Sequence, residues 1–136
     1  MRNDIILNKI ATIERCMKRI HEEYENNPAN LENYTKQDSI ILNIQRACEA
    51  SIDIAMHIIS IKKFGIPQTS RDAFEFLANN HVISSDLSFK LKAMIGFLNI
   101  VVHDYQSVNL AVVQKIIENH LTDYTAFVKQ VLSYEA

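Results

Sequence analysis

Apolar residues recur along this chain at alternating spacings of four and three, the pattern of helices that bury one face. Ile6, Ile10, Ile13, Met17, Ile20 and Tyr24 form one such stripe and predict a helix over 4–26. Asn3 or Asp4 can cap its start, and Asn26-Asn27-Pro28 ends it. The stripe suits core packing or a helix-paired interface. A polar connector over 29–36 leads to a second helix, expected from Gln37 or Asp38 to Lys63, with Gly65 as its stop and Pro67 beyond. Steps of about 100° per residue gather Ile41, Ile44, Cys48, Ile52, Ala55 and Ile59 on one side. Arg46, Glu49, Asp53 and His57 fall opposite, adjoined by Ala50, Ile54 and Ile61. Such a polar strip either faces water or, given its apolar borders, docks a partner. Thr69-Ser70-Arg71-Asp72 reads as a helix start of the capping-box type. It opens a short helix over 71–78 that buries Phe74 and Leu77 and closes at Asn79-Asn80. Ser84 or Ser85 caps a fourth helix, with Asp86 in its first turn and the stripe Leu87, Leu91, Met94, Leu98. A fifth runs from Ser107 or Asn109 to Ser133 through Val113, Ile116 or Ile117, Leu121, Tyr124, Phe127 or Val128, and Val131. The expectation is all-α: an antiparallel bundle of four long helices plus one short helix, with 1–136 as a single domain.

Composition sharpens this picture in three ways. Two glycines and two prolines in 136 residues leave room for long uninterrupted helices. No apolar run has the length of a membrane span, and Met1-Arg2-Asn3-Asp4 has no signal-peptide pattern. Cys16 and Cys48 form no motif and sit at apolar helical positions, as reduced core residues do, so a cytoplasmic location is expected. The net charge of −2, from 14 basic and 16 acidic residues, is not that of a general nucleic-acid binder. Any RNA contact must use a local basic patch or a groove assembled between subunits. His21, His57, His81, His103 and His120 lack paired ligand spacing, and there is no phosphate-cradling glycine loop, so no metal and no cofactor is expected.

The chemistry is concentrated in Gly96-Phe97-Leu98-Asn99-Ile100-Val101-Val102-His103-Asp104-Tyr105-Gln106. Asn99 and His103 are four apart and share a helix face, and Tyr105 falls at or just past the helix end. Taken alone, a His at a helix end is more often a surface or capping group than a catalyst, and Leu98 completes an ordinary core stripe. The stretch nevertheless resembles the signature of HEPN-domain ribonucleases, in particular HepT toxins: Arg, a polar residue, three more residues, His, any residue, Tyr. Asn99, His103 and Tyr105 match, and Leu98 stands at the Arg position. Gln45 to His57 resembles the second helix of that family, and Pro67 to Phe74 the start of its third. The resemblance spans roughly 38–108.

The resemblance implies the toxin component of a toxin–antitoxin pair, a metal-independent RNA endonuclease. Its partner would be a minimal nucleotidyltransferase antitoxin that adenylylates Tyr105. In-line attack by a ribose 2′-OH on the adjacent phosphate would leave a 2′,3′-cyclic phosphate. His103 is the side chain suited to proton transfer near neutral pH. Asn99 would position His103 or the phosphate, and Tyr105 would hydrogen-bond either. Arg46, Glu49 and Asp53 would orient the motif. A homodimer with two motifs facing one cleft is also implied. Leu98 supplies neither charge nor donor, and losing one transition-state donor costs roughly 10²–10³-fold in rate. A weak or inactive ribonuclease is therefore expected. Leu98 is either natural, in a pseudoenzyme that keeps its partner, or a replacement selected because the intact toxin harms its producer; the intact remainder of the motif favours the second. The rival reading is a non-catalytic helical binding module that docks a nucleotidyltransferase.

Overall fold

A computed structural model describes residues 3–103 and 108–135; for 102 and 103 the description is of the backbone. Its order is α1 (Asp4–Tyr24), a 3-10 turn (Pro28–Glu32), α2 (Tyr34–Lys62), α3 (Ser70–Asn79), α4 (Ser85–His103), α5 (Leu110–Asn119) and α6 (Leu121–Glu135). There are no strands among the described residues. The chain is all-α, as the spacing of its apolar residues predicts.

The helix ends follow from local chemistry. The Asn3 side chain accepts from the amides of Ile5 and Ile6 at 2.9 and 3.3 Å and opens α1. Glu25, left-handed at φ 52°, closes it by returning its N–H to the His21 carbonyl. Asn33 accepts from the Lys36 amide at 3.1 Å, so α2 begins at Tyr34, several residues before the predicted start. Thr69 caps α3, and Asp72 reaches back to the Gln68 amide at 3.0 Å. Ser84 caps α4 through the Leu87 amide at 3.1 Å. Gly65 between α2 and α3 has φ 128°, which disfavours any side chain, and the Phe76 ring lies 3.1 Å from where a Cβ would stand.

The predicted fifth helix is two helices. Its apolar stripe continues in phase through Val113, Ile116, Leu121, Tyr124, Phe127 and Val131, all buried. The backbone breaks at His120, whose N–H closes α5 onto the Ile116 carbonyl. The His120 carbonyl then accepts from the Asp123 amide at 3.1 Å, and its ring Nδ1 lies 3.2 Å from the Asp123 carboxylate. His120 thus serves the end of one helix and the start of the next.

α1 and α2 pack antiparallel: Lys9 pairs with Asp53, while Arg15 and Arg19 share a groove with Asn43 and Arg46. The α2 face toward the core is wider than the predicted stripe. Ala47, Ala50, Ser51 and Ile54 are fully buried, so Ala50 and Ile54 are core rather than borders of a polar strip, while Ile41 and Ile52 are only partly covered. Four aromatic side chains tie the elements together. Phe74 and Phe127 meet edge to face at 5.8 Å, joining α3 to α6. The Tyr124 hydroxyl donates to the Ile44 carbonyl at 3.1 Å, joining α6 to α2. Tyr24 donates to Glu118, joining α1 to α5; burial, reinforced by that carboxylate, pushes its phenol up to about 12. Both cysteines are buried and unpaired. No helix among the described residues is long and apolar enough to cross a membrane.

Candidate functional site

The motif occupies the last turns of α4. Leu87, Leu91, Met94, Leu98 and Val101 bind that helix to the core, which fixes the direction in which its other faces point. Leu98 is 8 % exposed and forms the edge of this apolar face. Asn99, one position on, is exposed. His103 is the last residue of α4, one helical turn beyond Asn99, and is described in its backbone only. Tyr105 lies outside the described residues.

Where α4 passes α2 the two helices touch sparingly, and an open cleft of about 280 Å³ lies between them. α2 contributes Gln45, Cys48, Glu49 and Ile52; α4 contributes Ile95, Leu98 and Asn99; Ser70 at the start of α3 completes the lining. The cleft is just below the usual range of ligand-site volumes, which starts near 300 Å³. Its character is largely apolar, with an amide at each of Gln45 and Asn99 and one carboxylate, Glu49. No cation lines it. Burial pushes the Cys48 thiol up to about 11, so it stays protonated at neutral pH and is no nucleophile.

The structure sorts the three supporting residues by place. Glu49 lines the cleft with Leu98 and Asn99. Asp53, one turn further along α2, pairs with Lys9 of α1 at 2.9 Å, with both side chains about half exposed. Arg46 lines a separate groove toward α1. One residue without a predicted role stands beside the motif. The Arg71 guanidinium, from the first turn of α3, reaches α4 at Gly96, 3.1 Å from where a Cβ would be. No sequence spacing announces that approach; the only trace is a glycine inside an apolar helix.

A family model described as Ribonuclease HepT-like matches residues 9–131. The chain is 52% identical over 126 residues to the mRNA nuclease HepT of Shewanella oneidensis, covering 93% of this chain and 95% of that protein. It is 31% identical over 91 residues to the tRNA nuclease HepT of Aphanizomenon flos-aquae, covering 67% of this chain and 62% of that protein. Among solved structures, the tri-AMPylated Shewanella oneidensis HEPN toxin in complex with MNT antitoxin superposes with a TM-score of 0.90 at 50% identity, over 97% of this chain and 99% of that one.

Proposed function

The chain belongs to the HepT-like ribonuclease family, and from that premise we propose that it is the toxin of a toxin–antitoxin pair acting on RNA. Its antitoxin is a minimal nucleotidyltransferase that adenylylates Tyr105. The observation that carries the reading is the coincidence of motif and cleft. α4 holds Asn99 and His103 one turn apart, and the open cleft beside Asn99 is lined from α2 by Glu49.

Each residue then has a role. His103 takes the proton of the attacking 2′-OH or gives one to the leaving 5′ oxygen. Asn99 orients the imidazole or the phosphate. A cation at position 98 would do two things. It would meet Glu49 across the cleft, which fixes its direction, and it would neutralise the charge that builds on the pentacoordinate phosphate. Leu98 does neither, and it leaves Glu49 as the only charge among the described lining residues, a repulsive one for phosphate. AMP on Tyr105 would put bulk and negative charge where RNA phosphate must sit. A homodimer with two such clefts face to face fits the exposed Ile100, 55 % accessible beside Asn99 on α4. The cytoplasm is the compartment in which RNA, ATP and the antitoxin meet.

The test compares this chain with Leu98→Arg for RNA cleavage and growth arrest. The Arg form is expected to cleave about 10²–10³-fold faster. Tyr105 peptides should gain AMP on incubation with antitoxin, ATP and Mg²⁺. The buried Leu98 also supports a second reading, a non-catalytic module that docks the nucleotidyltransferase. Neither form cutting RNA or slowing growth would favour that module over the ribonuclease.

A further inference from the structure

α2 has a second open flank. Between α1 and α2 runs a groove of about 380 Å³ lined by Arg15 and Arg19 from α1 and by Asp38, Ser39, Leu42, Asn43 and Arg46 from α2. The two α1 arginines are four apart and so stack on one face. All three arginines are exposed, and none has a carboxylate within ion-pairing distance among the described residues. Arg15 and Arg46 lie close enough to the seam between the helices to act electrostatically on Cys16 beneath it. Its surface is mixed, with Leu42 beside polar groups and the Asn43 amide donating to the Ser39 carbonyl at 2.7 Å. Three permanent cations against one carboxylate, Asp38, make a positive locus in a chain whose net charge is −2.

We propose that this groove is a binding site for the phosphate backbone of single-stranded RNA, feeding the strand toward the α2–α4 cleft. The inference rests on the ribonuclease reading for its direction but not for its chemistry. Arginine forks suit phosphate because each offers paired donors and a charge that does not titrate. The placement suits a strand that continues into the cleft: Arg46 and Glu49 are three residues apart on α2, less than one helical pitch of about 5.4 Å, which one extended nucleotide spans. The described lining of the cleft holds no cation, and the arginines beside it supply attraction for the polyanion. Contacts of this kind read backbone rather than sequence.

The test uses a labelled, single-stranded 2′-O-methyl RNA, which lacks the attacking hydroxyl and so reports binding alone. Its affinity is measured by fluorescence anisotropy across a salt titration. Each phosphate contact on a single strand contributes about 0.7 to the slope of log affinity against log salt. The variant Arg15→Gln/Arg19→Gln/Arg46→Gln should bind more weakly and lose about 2 from that slope. Arg→Lys at the same positions should keep most of the slope. A control, Lys62→Gln/Lys63→Gln/Lys90→Gln, removes equal charge away from the groove and should leave the slope nearly unchanged. An unchanged slope in the arginine variant, or an equal loss in the lysine control, would overturn the proposal. Cleavage by the Leu98→Arg form is read separately. If it cuts RNA while the groove variant keeps its slope, the groove fails and the ribonuclease stands. If the slope falls and no form cuts, the groove stands and the ribonuclease fails.

Discussion

The two flanks of α2 are built from opposite materials. On the α4 side the cleft has amides, a carboxylate and a hydrophobic wall at Leu98, but no cation among its described lining residues. On the α1 side the groove has three arginines, but no group suited to proton transfer near neutral pH. Chemistry and attraction for a polyanion are therefore kept apart on one helix. The separation explains how a chain of net charge −2 can act on RNA. It also means that Leu98, at the edge of the cleft, brings no positive charge into it.

Four substitutions press on that contrast. The largest effect belongs to the motif. In the Leu98→Arg background, His103→Ala should lower cleavage by about 10²–10⁴-fold. The salt dependence of oligonucleotide binding should not move, and a shift in that slope would mean that the two flanks do not divide their work. The next effect is thermodynamic. The Cys48 thiol is raised from 9.0 to about 11 by burial, so the folded chain keeps its proton after the unfolded chain has lost it. Stability from this group is complete below pH 9 and is lost as pH rises toward 11, by about 2–3 kcal/mol. Denaturant melts in that range should show the decline, and Cys48→Ala should flatten it. A thiol that titrates normally would show instead that the cleft floor is open to water. Glu49→Gln is the third. Removing the carboxylate that orients the arginine of the Leu98→Arg form should cost about tenfold in cleavage, in line with one charge-assisted hydrogen bond. In the Leu98 chain the same change should tighten oligonucleotide binding slightly, because it removes a repulsive charge. Smallest is Asp53→Asn. Its bridge to Lys9 is half exposed, so urea denaturation should register less than about 1 kcal/mol. A loss of cleavage comparable to that of Glu49→Gln would extend the functional cleft further along α2 than its lining reaches.

Much of the fold is legible in the chain because helices advertise themselves by period. The stripes Ile6–Tyr24 and Leu87–Leu98 are buried nearly residue for residue, with Met17 at the edge. Caps at Asn3, Thr69 and Ser84 follow from side chains that can hold orphan amides. The break at His120 escapes the same method. The apolar stripe runs through it in phase, and the interruption rests on backbone bonds and on His120 meeting Asp123. The early start of α2 was signalled by Asn33, an obvious cap, but the polar character of 29–36 argues for a connector. At the site, motif order places Asn99 and His103 on one helix. It could not place Glu49 against Leu98, nor Arg71 against Gly96, nor bring Arg15 and Arg19 beside Arg46. Those are facts of how helices pack, and each arginine alone reads as an ordinary surface residue.

Gly96 has a consequence for how such a chain can change over time. It sits within α4, where glycine costs about 1 kcal/mol relative to alanine. What the missing side chain provides is room, and the Arg71 guanidinium fills it. Alanine there would strengthen the helix and push the far end of a flexible arginine away by a few tenths of an ångström. Selection for stability alone would therefore favour alanine at 96, whereas selection for a cation held beside the motif would retain glycine. One position thus sets durability against the placement of charge, and a lineage that no longer needs Arg71 where it stands should let Gly96 drift first.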